Sequence, residues 1–215
     1  KMEKLLSRII KYILGLFIVT VGIGFAVKSN FGVSPVSAIP YTMTKIIGLE
    51  MGLGTMIFQS FLVVIQILIL RKNFELKNLL QIGVSIVFGW MTTFSNYVVG
   101  LLPFTDLLPV RIAMILISCV LIALGIALYV PANIVPMPSE GLIKTVADVT
   151  KKNFSDIKVI FDCTVVLISA VLCLVFIKSF GSIGFGTVVL AILVGIINKQ
   201  FIKLFKRALS FMFER

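Results

Sequence analysis

The chain says nearly the same thing twice. Asn30, Pro35, Thr42 and Phe58 recur as Asn133, Pro138, Thr145 and Phe161, each 103 residues further on, and Gln59 is answered by Asp162. Gly22 and Ile23 match Gly125 and Ile126 at the same offset, as Val63 and Ile65 match Val166 and Ile168. Apolar residues coincide by chance in a greasy chain. Asn, Pro, Gly and Phe at one fixed spacing do so less readily, so two copies of one structural unit are expected. The copies differ in charge: Glu140, Asp148 and Asp162 stand where the first copy has Ser37, Lys45 and Gln59.

The unit belongs in a membrane. Charged residues make up 13% of the chain and mean hydropathy is +1.13, whereas a soluble domain has about 25% charged residues. A helix needs about 20 apolar residues to span the bilayer. Six stretches meet that length: Ile9–Lys28, Leu53–Leu70, Leu79–Leu101, Leu108–Val130, Ile157–Ile177 and Ile183–Phe201. The expected fold is an all-α polytopic membrane protein, one transmembrane domain over residues 1–215. Repeat one covers about 9–101, repeat two about 108–203, and a basic tail residues 199–215.

Lys and Arg set the orientation. With both termini on one side, sixteen of the twenty fall on that side, so both termini are expected in the cytoplasm. The net charge of +11 sits at the ends of apolar spans, a membrane pattern and not a nucleic-acid surface. Copy two starts after three spans, so it crosses in the opposite sense to copy one. An inverted 3+3 repeat is expected, related by an axis in the membrane plane.

Each copy carries an extra segment after its first span, Asn30–Leu49 and Asn133–Asn153. Ser34 before Pro35 reads as an N-cap before proline at N1; Pro138, Ser139 and Glu140 put proline at N1 and a carboxylate in the first turn. The helices that follow are too short to span. They either re-enter the membrane or lie along its surface. Glu140, Lys144 and Asp148, four residues apart, would form a wet face in the second reading. In the first, the helix starts and their loops meet near mid-membrane.

The candidate binding residues follow from that picture. Asp162 lies inside the fifth span, where a carboxylate costs about 2.5–3.5 kcal/mol at the helix centre, so it is expected to face a polar cavity or a partner. Gln59 is its uncharged counterpart. Glu140 suits a helix start through the dipole, or shares a proton or cation site with Asp162. Asn30, Asn133, Ser34, Ser37 and Ser139 either satisfy the broken backbone or, with the helix N-terminal N–H groups, hold a polar solute. Thr92, Ser95 and Asn96 share one face of the third span and suit helix-to-helix hydrogen bonding. Gly181, Gly184 and Gly186 suit close packing.

There is no His, which removes the commonest metal ligand and proton shuttle. Cys119, Cys163 and Cys173 lie in apolar runs without paired spacing. No metal, cofactor or enzymatic activity is expected. Lys199, Lys203, Lys206 and Arg207 suit anchoring to anionic inner-leaflet lipid.

Gly22, Ile23, Gly24, Phe25 and Ala26, the run from Asn30 through Pro35 to Ala38, and the second run of Gly125, Ile126, Asn133, Pro138, Ser139, Glu140, Phe161 and Asp162 resemble the bacterial YczE/YitT-type integral membrane proteins. The resemblance covers about residues 12–205. It implies a six-span protein of the bacterial cytoplasmic membrane and says little about activity. YitT-type relatives often carry a soluble C-terminal domain, whose ligand sensing does not transfer to this chain.

Two functions are expected from these residues. One is a secondary transporter or permease for a small polar solute, with proton or cation coupling and a site between the copies. The other is a non-transporting membrane protein acting as an assembly or regulatory partner. Expected partners are the solute, membrane lipid and, as an option, a second copy in a homodimer.

Overall fold

The computed structural model describes residues 2–103, 107–181 and 183–213, with side chains for 5–103, 107–181 and 183–205. Lys206, Arg207 and Arg215 of the expected basic tail lie outside the described side chains. Among the described residues all regular structure is helical. The long helices are α1 (Met2–Ser29), α3 (Met51–Leu70), α4 (Leu80–Gly100), α5 (Leu108–Tyr129), α7 (Phe154–Phe176) and α8 (Phe185–Phe213), and the short ones are α2 (Pro35–Ile47) and α6 (Pro138–Thr150). The six long helices are long and apolar enough to cross a membrane, so the chain is a multi-pass membrane protein.

The centre is the pair α1 and α5, each about half buried. Small residues let the backbones approach. A Cβ placed on Gly125 would lie 2.5 Å from the Gly15 carbonyl oxygen, and one on Gly15 would lie 2.8 Å from that of Gly125. Ser118 donates to the Gly22 carbonyl at 2.7 Å.

The pair is antiparallel, and two arginines fix its ends. Arg8, near the start of α1, donates from Nε and Nη2 to the carbonyls of Ala132 and Asn133 just past α5, both at 2.9 Å. Arg111, near the start of α5, donates to the carbonyls of Ser29 and Asn30 at the end of α1, at 2.8 and 2.9 Å. Donors and acceptors alike stand 103 residues from their counterparts. Asn30 and Asn133 both adopt positive φ, 52° and 49°, a region Asn tolerates better than most residues. Each turns the chain sharply at the end of a span.

The other helices surround this pair. α4 packs on α1 and α8 on α5; α3 packs on α6 and α7 on α2. α3 also packs closely along α4, whereas α7 and α8 share no comparable contact among the described residues. At the start of α8 the glycines serve close packing: the Gly186 N–H donates to the Phe31 carbonyl at 2.9 Å, and Gly184 leaves no room there for a side chain. Ser95 on α4 meets Thr20 on α1 through their hydroxyls at 2.8 Å, as the expected hydrogen bonding between helices requires.

Candidate polar site at the start of helix α6

Proline at 138 opens α6 because its missing N–H has no partner to lose there. One of the N–H groups that a helix start leaves unpaired is met by an amide from a neighbouring helix, and a second amide reaches the first-turn backbone. The Ser139 N–H donates to Gln59 Oε1 at 3.2 Å, near the middle of α3. Gln66, two turns further along α3, donates to the Pro138 carbonyl at 3.1 Å. Its amide also pairs with that of Gln81 on α4, at 3.1 and 3.3 Å. The amide pair lies on bare backbone: a Cβ on Gly141 would come within 2.7 Å of Gln81 Oε1. The first turn of α6 therefore lies within the length of α3, while Lys144 and Asp148 further along are exposed. The helix is buried against α3 at its start and exposed at Lys144 and Asp148.

Glu140 completes the turn. It is partly buried, and the Tyr129 hydroxyl at the end of α5 donates to its carboxylate. Tyr12 of α1 meets Tyr129 edge to face at 6.2 Å and donates to the Val135 carbonyl at 2.8 Å. Burial pushes the Glu140 carboxyl above the ordinary glutamate range; the Tyr129 hydrogen bond and the charge of Lys158 pull it partly back.

Asp162 lies two turns into α7, where Lys158 pairs with its Oδ2 at 3.0 Å. Its Oδ1 is buried without a hydrogen-bond partner. Ser169 Oγ, two turns along the same helix, is in the same condition, and so is Asn198 Oδ1 on α8. By offset, Asp162 and Ser169 are the counterparts of Gln59 and Gln66. Gln59 and Gln66 are hydrogen-bonded; Asp162 Oδ1 and Ser169 Oγ are not.

The predicted residues are thus only partly assembled. Gln59, Ser139 and Glu140 come together at the start of α6, and Asp162 is tied to them through Lys158, which pairs with it and bears on Glu140. Asn30 and Asn133 do not converge, contrary to the expected meeting of the loops. They lie at opposite ends of α1, a separation of about 30 Å at 1.5 Å per residue, because each is held by the arginine of the other copy. Ser34 and Ser37 bond to each other at 3.0 Å at the start of α2. No hydrogen bond among the described residues joins them to the Glu140 group.

Sequence reasoning passed over Gln66, Gln81, Tyr12, Tyr129, Lys158, Arg8 and Arg111. Two signals were present. Gln66 repeats Gln59 at seven residues inside an apolar run, and Arg8 and Arg111 carry the 103-residue offset upstream of the matches used.

The model of a family described as a family of unknown function (DUF6198) matches residues 6–203. The uncharacterized protein YyaS of Bacillus subtilis (strain 168) is 25% identical over 201 residues, 91% of this chain and 92% of its own length. The uncharacterized membrane protein YczE of the same organism is 27% identical over 199 residues, 91% of this chain and 85% of its own length. No solved structure matches the chain.

Proposed function

Because the chain belongs to the DUF6198 family, whose function is unknown, its activity must be read from its own residues, and we propose that it is a secondary transporter of a small polar solute in the bacterial cytoplasmic membrane. In this reading the halves form an inverted repeat and both termini face the cytoplasm. The reciprocal arginine clamps support the first point and the Lys and Arg distribution the second. The solute site lies beside the broken backbone at the start of α6, with Gln59, Ser139, Glu140 and Asp162 around it.

One observation carries the proposal: ionisable groups, costly at membrane depth, gather beside one helix break in one half. Asp162 keeps an unpartnered buried oxygen, and Lys158, which pairs with it, bears on Glu140 through its charge. A proton or cation taken up there would change the charge that Lys158 balances, which is how transport would couple to an ion gradient.

The test starts with a melting-shift screen of small polar solutes on the purified protein, followed by vesicle uptake of any hit. Asp162→Asn keeps the shape of the side chain and removes its charge. Loss of the pH dependence of uptake is expected. Uptake with unchanged rate and unchanged pH dependence would remove Asp162 from the mechanism and leave the proposal without its support.

A second reading draws on the α1–α5 seam, which is closed to the scale of one methyl group at Gly15 and Gly125. A closely packed seam of that kind suits a non-transporting assembly or regulatory partner. A screen with no shift from any solute, together with a stable co-purifying protein, would favour it.

A further inference from the structure

An open cavity of about 560 Å³ lies between the first turns of α3 and the second half of α4. Trp90, Phe94 and Tyr97 line it from one face of α4, at i, i+4 and i+7, and Glu50 lines it from the N-cap position of α3. The register of the two helices creates the groove. Gly52, at the start of α3, packs on Gly89 and Thr93 near the middle of α4, so α4 continues past the start of its neighbour. Two of the rings stand largely open, Trp90 at 70% and Tyr97 at 68% exposed, while Phe94 meets Phe17 of α1 with ring centroids 6.2 Å apart.

Each part has an ordinary explanation alone. A carboxylate is favoured at a helix start by the dipole, and Trp and Tyr gather where membrane meets water. Their combination is less ordinary. Among the described residues Glu50 has no ion pair, and its side chain makes no capping hydrogen bond. None of the three rings recurs at the offset, where Leu193, Ile197 and Gln200 stand. The repeated fold therefore does not require them.

An exposed carboxylate with no ion pair, beside two open rings and a third backed by Phe17, is the recognition chemistry of an organic ammonium group, whose charge is attracted by the carboxylate and by the ring faces. Other occupants fit less well. An anion would meet Glu50 charge to charge. No group of three metal-ligating side chains occurs among the described residues. An acyl chain would gain nothing from the carboxylate.

We propose that this groove binds an organic ammonium ion through Glu50, Trp90, Phe94 and Tyr97. The cavity can hold alkyl substituents as well as the charged head, so the group belongs either to a free organic cation or to a lipid headgroup. The groove is separate from the Glu140 and Asp162 group, and the proposal stands whether or not the chain transports a solute there.

Trp90 is the only tryptophan in the protein, so its fluorescence reports on the groove directly. The full chain, purified in a non-ionic maltoside, is titrated with tetraethylammonium chloride and with choline chloride. Sodium chloride serves as the salt control and 3,3-dimethylbutan-1-ol as the uncharged counterpart of choline. A saturable change in emission is expected for both ammonium ions only. Glu50→Gln should weaken the apparent affinity about tenfold or more, and Tyr97→Leu should weaken it as well, with unchanged melting temperatures showing that both variants fold. No response above the salt control, an equal response to the alcohol, or full affinity in folded Glu50→Gln would each overturn the proposal. Nanodiscs then distinguish the sources. Loss of the choline response in phosphatidylcholine but not in phosphatidylglycerol assigns the groove to a lipid headgroup. Retention in both assigns it to a free cation.

Discussion

The two halves share a backbone plan and differ in how tightly it is closed. In the first, α3 and α4 pack along each other, with Gly52 against Gly89. The residues at the offset are Ser155 and Ile192; they add the side-chain bulk that Gly52 and Gly89 lack, and α7 and α8 have no such seam. Gln59 and Gln66 of α3 are bonded to the start of α6, while Asp162 and Ser169 of α7 keep unpartnered buried oxygens. At the helix breaks, Tyr12, Tyr129 and Glu140 have Ile115, Ala26 and Ser37 as counterparts. One plan has thus been filled as a satisfied amide cluster in one place and as an ion pair with an unpartnered buried oxygen in another. The 103-residue offset sets which positions correspond, and the residue chosen at each position sets the polarity there.

The part common to both halves should be the least tolerant of change. Gly125→Leu places a branched side chain where a single Cβ already meets the Gly15 carbonyl at 2.5 Å. Overpacking typically costs about 1–3 kcal/mol, and this backbone contact cannot yield as a flexible side chain would. A loss at or above that range, or failure to fold, is expected in thermal melts of the purified protein. Gly195→Leu is the matched control, because nothing lies within 4 Å of a Cβ there. Equal tolerance of the two changes would show that the α1–α5 seam is not the centre on which the halves are built.

The next comparison sets α3 against α7. Gln59→Leu keeps the volume and leaves the Ser139 N–H buried without its acceptor, at a cost of about 1–3 kcal/mol. Asp162→Leu removes a carboxylate whose Oδ1 has no partner and whose ion pair with Lys158 is half exposed on the lysine side. Pairs of that kind contribute about 0–1 kcal/mol. The melting temperature should fall clearly for the first change and little, or not at all, for the second. A large loss from Asp162→Leu would make Asp162 a structural residue like Gln59 and erase the contrast between the halves.

These contrasts also show what a sequence can carry. Six spans and two short helices were legible because apolar length and proline position are local properties. Asn, Pro and Gly recurred at one offset, and the arginine contacts at the two ends of α1 keep that offset. Where the short helices point was not legible, since that depends on Arg8 holding the turn at Asn133 and Arg111 the turn at Asn30, contacts over 125 and 81 residues. The site suffered for the same reason. Asp162 and Glu140 stood out as charges in apolar surroundings, but Gln66 and Gln81 are uncharged, and only their meeting over Gly141 makes them a site. Asn30 looked equivalent to Asn133, and it is, at the opposite end of the molecule.

The smallest effect tests whether Glu140 is a proton site distinct from its uncharged counterpart Ser37. Burial raises the Glu140 carboxyl, so over the pH range above the ordinary glutamate value the folded protein holds a proton that the unfolded chain has released. The stabilising contribution is complete below the unfolded value and is lost as pH rises through the folded one. The groups facing Glu140 are Tyr12, Tyr129 and Lys158, with Asp162 paired to the lysine. The melting temperature of the unaltered chain should therefore fall with rising pH more steeply than that of Glu140→Gln, with the two curves converging at acid pH. Lys158→Gln removes a charge that favours the carboxylate and should extend the fall to higher pH. If Glu140→Gln follows the unaltered curve at every pH, Glu140 takes up no proton on folding and the halves differ in polarity alone.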